Sequence, residues 1–396
     1  MHDQHLQAHS AGMLQQQQQQ QGSVEALGNA CRLPPLWRTN HIFASSATDE
    51  CPAELIPGAW VHPGKVNGVG GMLPLTAEVQ RAIYAHQNPA DCSKARFLIH
   101  STIPSGVASI MNVETVSLVA ALNSGRIMHE EYDHFLTQNG YCRGNATLDS
   151  CYFEPLTRCR LTREEAAAAP TLKTVEQLMD PAGPRVGILD YNLVAELRLS
   201  VPKQFEKQVE ERGIPSKRKH YWWRAQAIAY IIRPNARTRA ELEKRKQERF
   251  RGAPLAPGCI SLFVRGGDKA AESAVFSSQH YEGIVQRLRQ IDPALTNQLF
   301  ITTEDPRTID YFANSSSWRT SYVHMKEEEG GTRDDAEYLR SLLNLDLALQ
   351  CDGYVGSFFS NWQRLIDEMR VTVRCKANAV YVDAHYKTPA EMDFNW

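Results

Sequence analysis

From residue 259 onward the chain alternates between two periods. Short runs rich in apolar and β-branched residues fall at 259–264, 298–303, 320–324, 353–356 and 379–383. Between them, apolar positions recur at helical spacing near 279–290, after Pro306, over 334–350 and over 360–370. Strands alternating with helices of this length predict a doubly wound parallel sheet. Helix 334–350 carries Leu339, Leu342, Leu343 and Leu347 on its packed side, with Asp346 among them. A carboxylate on an apolar stripe is either paired in a salt bridge or functional.

Upstream the pattern is looser. A strand is expected at 95–100, then a loop at 101–106, an apolar helix across 111–122 and another strand at 185–189. The stretch 202–251 reads as helical and basic, and Arg233-Pro234 should stop the helix whose apolar centre runs from Tyr221 to Ile232. Its basic runs, 217–220 and 244–246, read as solvated faces or, at lower weight, a polyanion site. Residues 31–78, rich in Pro and Gly and holding Trp37 and Trp60, read as an extended arm that packs on the body. Residues 1–30, with Gln throughout 15–21, carry too little apolar surface to offset ordering entropy and read as disordered. His2, His5 and His9 belong to that solvated tail rather than to a metal site.

Composition narrows the class. At 396 residues, 42% hydrophobic and 22% charged, the chain has room for two or three ordinary domains. A net charge of -2 argues against a general nucleic-acid binder. The best apolar run, 116–122, is far short of the ~20 residues of a membrane span. Met1 is followed by no signal-peptide pattern. Nine cysteines, concentrated in the N-terminal half and lacking any CxxC pair, fit disulfides and a secretory lumen better than a zinc module. The triplets Asn145-Ala146-Thr147 and Asn314-Ser315-Ser316 are glycosylation sequons that agree with a lumen, although chance supplies as many.

Three predicted strands end in tips that carry chemistry: Val264-Arg265-Gly266-Gly267-Asp268-Lys269, Thr302-Thr303-Glu304-Asp305-Pro306 and Ser357-Phe358-Phe359-Ser360-Asn361. Ligands of open α/β sheets bind at that carboxyl edge. Arg265 offers a phosphate a planar fork of donors, and the glycines let the main chain come close. Ser360 and Asn361 place a hydroxyl and an amide at a helix N-terminus, which suits an anion. Glu272, further along the first loop, is placed to act as a general base. Each tip alone equally describes a surface turn closed by a salt bridge; together they describe a nucleotide-diphosphate pocket.

These segments resemble the α1,6-fucosyltransferases (the core fucosyltransferase family, glycosyltransferase family 23). The segment from His86 to Ala95 resembles that family's entry into its first α/β domain, and Trp222-Trp223 through Arg233-Pro234, with Leu242-Glu243-Lys244, resembles the link between its domains. Val264-Arg265, Asp268-Lys269 and Phe276 resemble its donor loop; Thr303-Glu304-Asp305-Pro306 and Ser357-Phe358 with Ser360 and Arg364 resemble its second and third donor motifs. The likeness runs in collinear order over about 80–385. It implies an α/β, GT-B-like fold with two Rossmann-like domains, the C-terminal one doubly wound around a parallel sheet. Residues 1–78 would be tail and arm, 79–252 the acceptor-side domain with its basic helical linker, and 253–390 the nucleotide-sugar-binding domain.

The resemblance further implies an inverting transfer of fucose from GDP-fucose to a glycan or glycoprotein, in the Golgi or another secretory lumen, with no metal or other cofactor. The lack of any Asp-x-Asp triplet agrees with that. Donor binding would fall to Arg265, Asp268, Glu304, Asp305, Asn344, Asp346, Ser360 and Asn361, and catalysis to Glu272 as base with Lys269 orienting it. The family's matching cysteines imply a Cys92–Cys159 disulfide. Four departures stand out. Gapless alignment puts Ser273 rather than Glu272 at the base position. Phe263 replaces a guanine-contacting His, and Asn344 replaces a guanine-contacting Asp, for which Asp346 is a displaced substitute or a structural group. The first loop, Ile103-Pro104-Ser105-Gly106-Val107-Ala108, has one glycine and no cysteine. Two rival readings follow: a relative using another nucleotide sugar, and a non-catalytic glycan-binding member of the fold.

Overall fold

The computed structural model describes residues 37–38, 52, 54–61, 71–100, 105–131, 140–144, 147–250, 255–266, 275–323, 335–357 and 359–384. The expected disordered tail at 1–30 lies outside them. In chain order the strands are β1 (Trp37–Arg38), β2 (Phe97–His100), β3 (Ile127–Glu130), β4 (Thr171–Leu172), β5 (Val186–Leu189), β6 (Ile260–Val264), β7 (Gln298–Thr303), β8 (Arg319–Tyr322), β9 (Gly353–Gly356) and β10 (Val380–Asp383).

Two sheets result. The first has the order β3-β2-β5-β4, with every neighbouring pair parallel. The second has the order β1-β10-β9-β6-β7-β8 and is parallel except where the two-residue β1 runs antiparallel along β10. β6, β7, β9 and β10 are buried at every position, which is why they read as continuous apolar runs rather than alternating ones. The C-terminal half thus has the doubly wound architecture expected, and the chain is α/β with two Rossmann-like sheets, GT-B-like.

Sequence pattern missed β3 and β4. The first is short and ends in His129-Glu130, and the second is only two residues long. Gly125 makes β3 possible: at φ 65 it takes a left-handed turn, ends helix Val107–Ser124 and sends the chain back into the sheet. The expected basic helix is three, Lys203–Glu211, Lys219–Ile231 and Ala236–Phe250, and the second stops just before Arg233-Pro234.

Helix Val107–Ser124 is long and apolar enough to cross a membrane by length and composition, although its longest uninterrupted apolar run is short. Its apolar surface is instead core, packed against helix 219–231 and helix Asn361–Arg370. One hydrophobic cluster therefore joins both halves, with Leu118, Trp223 and Ile366 in it. Buried polar pairs run along the same seam: Arg224 to Glu368 at 2.7 Å, and the Tyr221 hydroxyl donating to Asp367. The described residues of the arm pack on this body. Leu55, Ile56, Trp60, Met72 and Leu73 are buried, and the Arg374 guanidinium lies 4.6 Å from the Trp60 ring centroid.

Disulfides join Cys92 to Cys159, Cys142 to Cys151 and Cys259 to Cys351, and Cys375 is disulfide-bonded too. The Cys92–Cys159 pair is the one the family resemblance implied.

Candidate active site

Strand order locates the site. From β6 the chain steps outward to β7 and β8, then returns to the other side of β6 for β9 and β10. The order therefore reverses between β6 and β9, and such a switch point opens a crevice at the carboxyl ends of its two strands. Arg265 and Gly266 leave β6 there, and Ser357 to Asn361 leave β9. β7 neighbours β6 and ends in Glu304-Asp305. All three sequence-predicted tips thus share one edge.

At that edge Arg265 donates through Nη1 to Glu304 Oε2 at 2.6 Å, with both side chains half-buried. The contact engages one of the five guanidinium N–H groups. Asp305 serves the next helix, Pro306–Ala313: its Oδ1 accepts from the Arg307 backbone N–H at 3.1 Å, and Pro306 follows at the first helical position. The Arg307 guanidinium also donates to Asp305, and these hydrogen bonds hold the Asp305 carboxyl below the usual range. Gly266 lies close to this tip, since a Cβ there would come within 3.4 Å of the Asp305 Cβ.

Ser360 is the N-cap residue of helix 361–370, yet its hydroxyl caps no backbone N–H of that helix. The first-turn amides are thus left without the side-chain acceptor that a capping serine usually supplies. The Asn361 side chain is engaged across the seam. Its Nδ2 donates to Ser109 Oγ at 3.0 Å, and its Oδ1 accepts from Asn112 Nδ2 at 3.0 Å and Arg364 Nη1 at 2.9 Å. It pins the start of helix 361–370 to the first turns of helix 107–124, across the seam. Sequence reasoning missed Ser109 and Asn112; the signal available was a pair of polar residues opening an otherwise apolar helix.

Asn344 and Asp346 sit on helix Asp335–Gln350, and both are buried. Asn344 is fully buried, donates to the Arg340 carbonyl at 3.0 Å, and has no partner for Oδ1 among the described residues. Asp346 is held by Arg374 at 2.8 Å and Lys246 at 3.0 Å. Burial pushes its carboxyl up, but the two cations outweigh burial and hold it below the usual range. Of the two readings open for Asp346, the geometry is that of the salt bridge. Phe263 is buried in β6 and belongs to the core. Asp268, Lys269, Glu272 and Ser273 lie outside the described residues.

A doubly wound sheet with an arginine and an uncapped helix start at its switch point, joined to a second Rossmann-like sheet, has the architecture of a glycosyltransferase. The chain belongs to the α1,6-fucosyltransferase family: residues 72–323 match the model of alpha-(1,6)-fucosyltransferase N- and catalytic domains. β9 and helix 361–370 follow the matched segment. Similar solved structures include a mutant of Arabidopsis thaliana FUT1 in complex with GDP, at 10% identity and TM-score 0.44, covering 80% of this chain and 85% of that one. POFUT1 in complex with GDP-fucose matches at 10% identity and TM-score 0.43, over 74% and 98%. Fucosyltransferase NodZ from Bradyrhizobium matches at 14% identity and TM-score 0.34, over 69% and 93%. The family assignment rests on the sequence match, not on these.

Proposed function

We propose that this chain is an inverting, metal-independent fucosyltransferase that moves fucose from GDP-fucose to a glycan or glycoprotein acceptor. Residues 253–390 hold the donor and 79–252 face the acceptor. The observation that carries the reading is that Arg265 and the start of helix 361–370, whose Ser360 supplies no side-chain cap, follow the neighbouring strands β6 and β9 at the switch point, in a chain of this family. Arg265 and the helix amides take up the charge that develops on the diphosphate as the sugar departs. A carboxylate repels a diphosphate, so Glu304 acts by orienting Arg265, and Asp305 acts by shaping the tip. Asn361 sets the spacing between the two halves.

In the chemical step the acceptor oxygen attacks the anomeric carbon from the face opposite the leaving group. Glu272 takes the acceptor proton, and an alcohol such as Ser273 is too weak a base for that task. The bond from the anomeric carbon to the β-phosphate oxygen breaks, and GDP leaves with the electron pair. Lys269 orients the Glu272 carboxylate. The disulfides support an oxidising secretory lumen, and the Golgi is the compartment proposed.

The test incubates the full chain with GDP-fucose and an N-glycan acceptor, with and without a chelator. Fucosylated product that is insensitive to chelation is expected. GDP release with no product points to another acceptor; neither product nor release overturns the reading in favour of a glycan-binding protein.

A further inference from the structure

Of the two glycosylation triplets, Asn145-Ala146-Thr147 begins outside the described residues, whereas Asn314-Ser315-Ser316 lies within them, between helix Pro306–Ala313 and β8. The helix buries Thr308, Ile309 and Phe312 and ends at Asn314, whose backbone N–H donates to the Asp310 carbonyl at 3.0 Å. Asn314 and Ser316 are both exposed. Neither the Asn314 side-chain amide nor the Ser316 hydroxyl has a hydrogen-bond partner among the described residues.

Other groups hold this turn. The Ser315 N–H donates to the Phe312 carbonyl at 3.2 Å, Ser315 Oγ accepts from the Ser317 N–H at 3.3 Å, and Asn297 Nδ2 donates to the Ser317 carbonyl at 3.4 Å. The local backbone contacts that Ser and Asn side chains commonly make are thus supplied by Ser315, and the fold asks nothing of Asn314 Nδ2 or Ser316 Oγ. The position is also clear of the donor crevice. Helix 306–313 starts at the Glu304-Asp305 tip and leads away from it. At about 1.5 Å per residue, its eight residues set Asn314 about 12 Å along the helix from that edge. The chain then enters β8 at Arg319, in register with Gln298, the first residue of β7. Asn314 therefore lies toward the amino end of the sheet, and the switch point is at the carboxyl end.

We propose that Asn314 is a modification site that carries an N-linked oligosaccharide, added as the chain enters a secretory lumen. This inference rests on the lumen reading above. In the transfer, Asn314 Nδ2 forms a bond to the anomeric carbon of an oligosaccharide carried on a polyprenyl diphosphate. The bond from that carbon to the diphosphate oxygen breaks, the diphosphate leaves with the electron pair, and the amide gives up one proton. Ser316 supplies the hydroxyl that the triplet requires. The transfer precedes folding, so the fold must accommodate its product, a bulky and solubilising group that belongs at the surface. At Asn314 the product displaces no side-chain hydrogen bond and leaves the crevice open. A triplet that arises by chance has no reason to meet these conditions together.

The experiment expresses the full chain behind a cleavable secretion signal in eukaryotic cells and maps its peptides before and after treatment with peptide:N-glycosidase, which converts a glycan-bearing Asn to Asp. Disulfides are mapped under non-reducing conditions on the same sample. Asn314 should be read as Asp after treatment. The modification should be lost in Asn314→Gln and in Ser316→Ala, and retained in Ser316→Thr. GDP affinity in Asn314→Gln should stay within about twofold of wild type, as for an ordinary surface substitution. An unmodified Asn314 in a chain whose Cys92–Cys159 disulfide has formed overturns the inference and leaves the lumen reading intact. Free thiols at Cys92 and Cys159 overturn the lumen reading, and this inference with it. A loss of GDP affinity of tenfold or more in Asn314→Gln overturns the placement of the site away from the crevice.

Discussion

Glu114 sits in the middle of helix 107–124, fully buried, and neither carboxyl oxygen has a hydrogen-bond partner among the described residues. Burial, with the Asp149 charge second, pushes its carboxyl up to about 8. Glu130 at the end of β3 is raised as well, by burial and then by Asp149 and Glu114. Tyr338 reaches this cluster from helix 335–350, its ring stacked on Tyr152 at 4.3 Å and its hydroxyl buried without a hydrogen-bond partner among the described residues. A carboxyl whose value is higher folded than unfolded binds more protons in the folded state. The stability it contributes is fully present below the unfolded value of about 4.3 and is lost as pH rises through the folded value. Each pH unit in that window is worth about 1.4 kcal/mol, so the whole window comes to about 3–5 kcal/mol.

Glu114→Gln keeps the shape and never ionises. Its thermal unfolding should match wild type near pH 4.5. At pH 8.5 the variant should be the more stable by about 3–5 kcal/mol, or roughly 5–10 °C. Glu130 is present in both proteins, so the difference between the two profiles reports Glu114 together with its coupling to Glu130. Parallel profiles from pH 4.5 to 9 would show that the carboxyl is hydrated or paired, and would refute the argument.

Arg265→Lys keeps the charge but loses the planar fork. Donor affinity and transfer should fall by tenfold or more at an unchanged melting temperature, and near-normal turnover would remove Arg265 from the phosphate site. Glu272→Gln should lower transfer by roughly a hundredfold or more with GDP affinity nearly unchanged; normal transfer in that variant combined with loss in Ser273→Ala would reassign the base. Asp346→Asn breaks a buried ion pair and should cost about 3–5 kcal/mol of stability. Its GDP affinity should hold, and a selective loss of GDP binding would return Asp346 to the donor site.

The parallel C-terminal sheet was legible because its strands are buried on both faces and their helices are regular. The three tips were legible because strand ends in such a sheet share an edge. What escaped was what depends on contacts distant in sequence. Asn361 reads as one more anion-binding amide until Ser109 and Asn112, some 250 residues away, claim its side chain. Asp346 looks like a displaced base contact until Arg374 and Lys246 reach it from two other segments. Asn112 and Glu114 interrupt the apolar run of helix 107–124, so its length is not legible from the run, and only packing shows it to be core. β3 and β4 are too short to carry a period of their own.

The central claim is that the switch-point crevice holds a guanosine-diphosphate sugar. Thermal shift of the full chain against GDP, UDP, ADP and CMP tests it most directly. The account predicts stabilisation by GDP alone, about 3 kcal/mol at a hundredfold excess over Kd, and its fall to about half of that or less in Arg265→Lys at the same GDP concentration. Stabilisation by another of these nucleotides, or by none, would contradict it.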